Sequence, residues 1–318
     1  MRTESGLQSK QIKKTEPFFN TAPNLLSLIG STPLIQLSQY LPNNVFAKLE
    51  YFNPGGSIKD RTAAYMVEQA EKKGLLNPGG TIIEASSGNQ GIALAMIGAL
   101  KGYKVIITVP ARTSIEKKNT MLAYGAQIIV CDEQKGEDYR ERALQLAQEI
   151  PNSFMPDQYF NPDNSAAHYA STGPEIWQQT NGTVTHVIVA AGSCGTITGI
   201  GRYLKEKNKQ IQIIGVDAAT SAYSSKDPQP YQTEGLGIDY VDGLFDSNVV
   251  DQIIPVTDEQ AFSQARIMSQ KHGLLVGPSS GAVMYGAKQI IPSLSLNAVV
   301  ILILADSGRA YLSKLFTV

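Results

Sequence analysis

Short apolar runs rich in β-branched residues alternate along this chain with longer stretches of helical period. Residues 45–49, 81–84, 105–109, 127–130, 184–190, 212–216 and 299–304 read as strands. Residues 62–73, 90–101, 114–124, 137–149, 197–207, 258–272 and 282–291 read as helices. One more strand-like run, 273–276, precedes the last helix. Apolar strands that lack polar alternation are buried on both faces, so the pattern predicts an α/β fold of mostly parallel sheets covered by helices. The dense alternation from 80 to 131 predicts a small four-element lobe, and a ligand is expected in a cleft between two lobes. Residues 1–23 lack this pattern and read as an arm that packs on a partner.

Composition narrows the classes. The 318 residues, 42% hydrophobic and 17% charged, suffice for one large or two modest domains with real cores. A formal net charge of −1 argues against a nucleic-acid binder, which carries a basic excess. No apolar run approaches the roughly 18 residues of a membrane span; the longest, 298–305, suits a buried strand. The polar N-terminal segment has no apolar core of a signal peptide. Cys131 and Cys194 alone make neither a disulfide framework nor a zinc site, and His168, His186 and His272 show no metal-ligand spacing. These features predict a cytoplasmic globular protein without a metal.

Four segments carry candidate chemistry. In Asn53-Pro54-Gly55-Gly56-Ser57-Ile58-Lys59-Asp60-Arg61 a lysine follows a Gly-Gly turn at a helix start. The positive end of a helix disfavours its ammonium form, so Lys59 suits Schiff-base formation with a carbonyl; the same residues also read as an ordinary charged first turn. Ser86-Ser87-Gly88-Asn89-Gln90-Gly91 links a strand to a helix and offers free backbone N–H groups to a carboxylate, or is a plain N-cap. Gly192-Ser193-Cys194-Gly195-Thr196 is a strand–turn–helix junction suited to a phosphate, or a tight turn using glycine for geometry. It is neither a Walker loop nor a GxGxxG fingerprint, so no nucleotide is indicated. Gly277-Pro278-Ser279-Ser280-Gly281 opens a helix, where Ser279 reads as an N-cap or as a partner for a ring nitrogen. Cys194 reads as a redox-sensitive thiol or, by preference, as a small space-filling residue.

With these four segments in this order, the chain resembles the fold type II pyridoxal-phosphate enzymes, and within them the cysteine synthase and cystathionine β-synthase family. The similarity runs from Ile29-Gly30-Ser31-Thr32-Pro33-Leu34 to Phe316. It implies a two-domain fold, each domain a mostly parallel sheet covered by helices. The large cofactor-binding domain would comprise 1–52 and 162–318, and a small mobile domain, 53–161, would bind the substrate carboxylate. The resemblance implies pyridoxal phosphate attached to Lys59, its phosphate on Gly192, Ser193, Cys194, Gly195 and Thr196, its ring hydroxyl on Asn89 and its ring nitrogen on Ser279. Ser86, Ser87, Gly88, Asn89 and Gln90, with Gln158, would hold the substrate α-carboxylate, and Gly235-Leu236-Gly237 would face its side chain. The implied reaction is β-replacement on serine or an activated serine with a thiol acceptor, Lys59 removing the α-proton. A homodimer is implied, with the arm at its interface.

Within the family the features compete. Glu234, Gln158-Tyr159, His168-Tyr169 and Asp306-Ser307-Gly308-Arg309-Ala310-Tyr311-Leu312 resemble the cystathionine branch. There Glu234 would orient the amine of homocysteine and Tyr159 would do the same or assist hydroxide departure; a loop charge and an amphipathic aromatic are the plainer readings. Against that branch, the chain ends at Val318 without a regulatory tandem module, its arm has no Cys/His pair for haem, and Ile238 replaces a common tyrosine. Thr172-Gly173-Pro174-Glu175-Ile176-Trp177 is similar to cysteine synthases, while Ser86, Gln90 and Ser193-Cys194 depart from the commoner motifs. Phe46-Ala47-Lys48-Leu49-Glu50-Tyr51 and the Asn-Pro-Gly-Gly-Ser that follows are similar to enzymes joining phosphoserine and glutamate. The expectation is cystathionine formation from serine and homocysteine, then cysteine synthesis from O-acetylserine and sulfide, then phosphoserine with an amine acceptor. A cofactor-retaining binding scaffold is the rival from another class.

Overall fold

The computed structural model describes residues 21–37, 41, 44–241 and 243–316; the expected N-terminal arm lies mostly outside them. Ten strands form two sheets. Strands β1 (Leu34–Gln36), β2 (Asn44–Leu49), β7 (His186–Ala190), β8 (Gln212–Ala218), β9 (Gln252–Val256) and β10 (Val299–Leu304) make one sheet in the order β1-β2-β10-β7-β8-β9. Only the β1–β2 pair is antiparallel. Strands β3 (Thr81–Ala85), β4 (Lys104–Pro110), β5 (Gln127–Cys131) and β6 (Ser153–Phe154) make a parallel sheet in the order β5-β4-β3-β6.

Helices α1 (Lys59–Lys72), α2 (Asn89–Lys101), α3 (Ile115–Ala123) and α4 (Tyr139–Glu149) cover the smaller sheet. Helices α5 (Asp163–Ala170), α6 (Thr172–Gln179), α7 (Gly195–Lys207), α8 (Asp258–His272), α9 (Pro278–Ile290) and α10 (Leu312–Leu315) follow in the chain. Successive strand side chains point to opposite faces. Accordingly Val187, Val189, Ile301 and Ile303 pack with α6 and α7, while Ile188, Val300, Leu302 and Leu304 pack with α8 and α9. Each such side chain, fully buried, stabilises the fold by about 1.5–3 kcal/mol. Both faces being covered accounts for the unbroken apolar runs seen in the sequence. No helix among the described residues is long and apolar enough to cross a membrane.

Several boundaries move. Helix α1 begins at Lys59, α7 at Gly195 and α9 at Pro278, so Lys59 and Ser279 belong to first helical turns rather than to loops before them. The run 273–276 is not a strand: Gly273 ends α8 in the left-handed conformation, and only Val276 makes an isolated bridge, to Ser307. Strands β1 and β6 are too short to leave a pattern. Strand β9 carries Pro255, which an edge strand tolerates because one of its sides is unpaired.

Candidate active site

The loops after β3, β7 and β10 leave the carboxyl ends of parallel strands, where open α/β sheets bind ligands. They border a cleft of about 1200 Å³, open solvent included. Its lining includes Lys59, Ser86, Ser87, Gly88, Asn89, Gln90, Gln158, Tyr159, Gly192, Ser193, Cys194, Thr196, Glu234, Gly235, Gly237 and Ser279. Every candidate from the sequence is therefore gathered there except Gly195. That residue starts α7 one layer behind, where an added Cβ would come within 2.1 Å of Asn164 Oδ1.

Lys59 reaches into the cleft, and its Nζ donates to Ser193 Oγ at 3.2 Å. Burial lowers its pKa to about 8, against weaker opposing pulls from Cys194, Glu84 and Asp306. An amine of that pKa is substantially neutral near pH 8, which is the form that attacks a carbonyl. Capture of a carbonyl compound by Lys59 in the cofactor-free protein is expected to rise with pH about a midpoint near 8. Stopped-flow absorbance against pH reads this directly, and a midpoint near the usual 10.5 would contradict it.

The residues after Lys59 fix its helix. Asp60 Oδ2 accepts the Gly55 N–H at 2.5 Å, pinning the Gly-Gly turn. Arg61 grips Glu50 through Nε at 2.7 Å and Nη2 at 2.9 Å, and Glu175 through Nη1 at 2.6 Å and Nη2 at 2.8 Å. Lys48 Nζ completes this quartet 2.8 Å from Glu175, the one member that is only half-buried.

Three helices, α2, α7 and α9, open onto the cleft. None has an acidic residue in its first turn, and none of the residues at their N-caps (Gly88, Cys194, Gly277) caps through its side chain. Uncompensated helix N-termini favour anions. At α7, Cys194 adopts φ +63°, turning successive amides toward one point. Its thiol is pushed up to about 12 by burial and by Asp217, so the space-filling reading of Cys194 fits and an activated thiolate does not. At α2, Ser86 Oγ accepts from the amides of Gly88 at 3.1 Å and Gly91 at 3.0 Å. The amides of Asn89 and Gln90, beyond reach of any helical carbonyl, are left for a carboxylate. Gln90 accepts from Thr62 Oγ1 at 3.0 Å, while its buried Nε2 has no protein partner. Asn89 donates to Asp306 Oδ2 at 2.6 Å, which fixes its amide orientation, because a carboxylate only accepts. This set, an amine of lowered pKa facing the starts of α2 and α7, where helix ends favour anions, fits a carbonyl cofactor bearing a phosphate together with a substrate carboxylate.

In the wall opposite, sequence reasoning named Glu234, Gln158 and Tyr159 but missed Lys117 and Lys314. Lys117 of α3, its side chain 2% exposed, pairs with Glu234 and donates to Tyr311 OH at 2.9 Å. Lys314 takes the other oxygen of Glu234 at 2.9 Å. Burial raises the Glu234 pKa, but the two lysines outweigh it and the net shift is downward. Its carboxylate therefore meets two ammonium groups of the chain itself. Lys117 also closes over the loop before α2: a Cβ on Gly88 would fall 2.4 Å from its Cδ, so a side chain there would have to push the lysine aside. A lysine beside Lys118 in a short helix looks like a solvated face, and no local pattern marks it as buried. Tyr159 packs on Tyr240 with ring centroids 4.7 Å apart, and burial, with Tyr139 and other phenols around it, pushes its pKa well up. Gln158 is held by Nε2 to Ala85 O at 3.4 Å, and its main-chain oxygen accepts from Asn164 Nδ2 at 2.7 Å.

A family model described as pyridoxal-phosphate dependent enzyme matches residues 25–306. The chain belongs to the pyridoxal-phosphate dependent enzymes. Among relatives of this enzyme, a cystathionine β-synthase of Apis mellifera is 42% identical over 316 residues, covering 95% of this chain but 62% of the relative. The chain thus spans less than two thirds of that protein's length. Cysteine synthase B of Escherichia coli (strain K12) is 41% identical over 289 residues, covering 90% of this chain and 93% of the relative. The solved O-acetylserine dependent cystathionine β-synthase of Helicobacter pylori superposes with a TM-score of 0.88 at 36% identity, covering 94% of this chain and all of that one. Pyridoxal phosphate is accordingly the cofactor of this enzyme.

Proposed function

We propose that this enzyme catalyses β-replacement on serine or an activated serine, joining it to a thiol. The carrying observation is Lys59 facing the starts of α2, α7 and α9 across one cleft. When bound, pyridoxal phosphate supplies an electron sink at the substrate α-carbon. The start of α7, with Ser193 and Thr196, holds a phosphate, and Asn89 a ring hydroxyl. Ser279, a neutral hydroxyl, meets a ring nitrogen without protonating it, which favours elimination over transamination. The start of α2 with Gln158 binds the substrate carboxylate and orients the α-hydrogen toward Lys59. Lys59 Nζ takes that proton as general base, a role its lowered pKa suits. In this reading Tyr159, kept protonated by burial, orients the acceptor's amine or assists the departing group.

Homocysteine is our first acceptor, giving cystathionine. Gln158, Tyr159 and Glu234 around the cleft, and the likeness to two enzymes named cystathionine β-synthase, support it. Cysteine formation from O-acetylserine and sulfide is the second reading, supported by the likeness to cysteine synthase B along almost its whole length. One mass-spectrometric competition decides: isotope-labelled serine, unlabelled O-acetylserine, homocysteine and sulfide supplied together. Cystathionine as main product supports the first reading and its label names the donor; cysteine supports the second. Glu234→Gln is expected to cost homocysteine use about tenfold more than sulfide use, since only homocysteine carries an amine to orient. Equal losses would make Glu234 the mate of Lys117 and Lys314 alone.

We also propose that residues 53–161 act as a domain that closes on substrate, since all four strands of the smaller sheet lie within them. Small-angle scattering unchanged by substrate would oppose this. A cytoplasmic homodimer completes the proposal, and a monomer mass by light scattering would overturn the assembly.

A further inference from the structure

Behind the α7 turn lies a histidine that the proposed chemistry does not use. His168, on α5, is fully buried. Its Nε2 sits 3.1 Å from Thr196 Oγ1 and its Nδ1 sits 2.8 Å from Thr172 Oγ1. Thr172 is also fully buried, while Thr196 lines the cleft in the first turn of α7. The contact between α5 and α7 leaves no slack, because a Cβ on Gly199 would lie 2.2 Å from Ser165 O and 2.7 Å from His168 Cβ. Four residues earlier on the same face of α5, Asn164 Nδ2 donates to Ser193 Oγ at 3.2 Å. One helix face thus backs both hydroxyls of the turn.

Burial, then Arg61 and Lys59, lower the His168 pKa well below its usual range, so the ring is neutral and donates through one nitrogen only. The two tautomers have opposite consequences. If Nδ1 carries the proton, Nε2 accepts the Thr196 hydroxyl hydrogen and oxygen lone pairs face the cleft. If Nε2 carries it, Thr196 accepts from the ring, its own hydrogen is free for the cleft, and Thr172 donates to Nδ1. A phosphate oxygen only accepts, so it requires the second arrangement.

We propose that His168 is a positioning residue which, protonated at Nε2 and accepting from Thr172 at Nδ1, turns the Thr196 hydroxyl hydrogen toward the cofactor phosphate. This rests on the cofactor phosphate occupying the α7 end. The test titrates cofactor-free protein with pyridoxal phosphate and, separately, with pyridoxal, which lacks the phosphate. His168→Phe is expected to weaken pyridoxal phosphate binding about 10- to 100-fold, the worth of a hydrogen bond to a charged group, and to leave pyridoxal binding unchanged. His168→Gln, whose side-chain nitrogen can reach the Nε2 position, is expected to restore most of the affinity. Nitrogen-15 NMR of the holoenzyme is expected to show His168 protonated at Nε2 and bare at Nδ1. It keeps the proposal testable on unmutated protein should His168→Phe fail to fold. Equal losses for both ligands, or a proton on Nδ1, would overturn the proposal. Wild-type protein that binds pyridoxal phosphate no better than pyridoxal would instead remove the phosphate from the α7 end, and with it the reading of the site.

Discussion

Replacing Lys59 with alanine is expected to lower turnover by about 10³-fold or more and to abolish the visible absorbance of a lysine-linked carbonyl cofactor. Two roles vanish together, the amine that anchors the carbonyl and the base that takes the α-proton. The rest of the cradle survives, since α2, α7 and α9 owe nothing to Lys59 for their helical ends. Circular dichroism is therefore expected to stay unchanged, and the mutant to keep measurable affinity for pyridoxal phosphate. The lost Nζ contact to Ser193 Oγ is partly replaced by Asn164, whose Nδ2 already donates there. An unaltered absorption band in the mutant would place the cofactor on another residue.

Arg61→Met is expected to destabilise the fold by about 3–5 kcal/mol, read by urea or thermal unfolding. Removing the guanidinium leaves Glu50, which is fully buried, without its cation and strips Glu175 of its 2.6 Å and 2.8 Å bonds to Arg61. Replacing Glu50 as well is expected to recover part of the loss, because the two residues share one network. Acid adds a second reading. Burial raises the Glu175 pKa, but Arg61 and Lys48 outweigh it and hold the carboxyl at about 2, below its usual 4.5. A depressed pKa contributes stability that is complete above about 4.5 and is lost as pH falls through about 2. With Arg61 gone, that loss moves to higher pH. A mutant within about 1 kcal/mol of wild type would mean the quartet is solvated in solution.

The same quartet shows where the sequence stops being legible. Arg61 and Glu175 are 114 positions apart, and each alone reads as an ordinary surface charge. Their burial follows from how α1 and α6 meet, which no local period encodes. Lys117, Asn164 and His168 escape for the same reason, as polar residues whose partners lie on other elements. What could be read was local chemistry. Apolar runs marked seven of the ten strands, because two covered sheet faces leave no room for polar alternation. Glycine and serine between a strand and a helix marked the starts of α2 and α7, since the geometry of such a junction restricts its residues. Helices α5 and α6 were not anticipated, their short mixed segments breaking at Ser171, which sits at φ −131° and ψ −67°.

The larger sheet joins distant parts of the chain: β10, residues 299–304, lies between β2, residues 44–49, and β7. During synthesis, β2 therefore waits at the ribosome with one edge unmatched until β10, residues 299–304, has been made. The smaller sheet, whose strands span 81–154, has every partner in hand long before. Vectorial folding should thus begin in the smaller sheet, leaving β2 dependent on shielding by chaperones until β10 emerges.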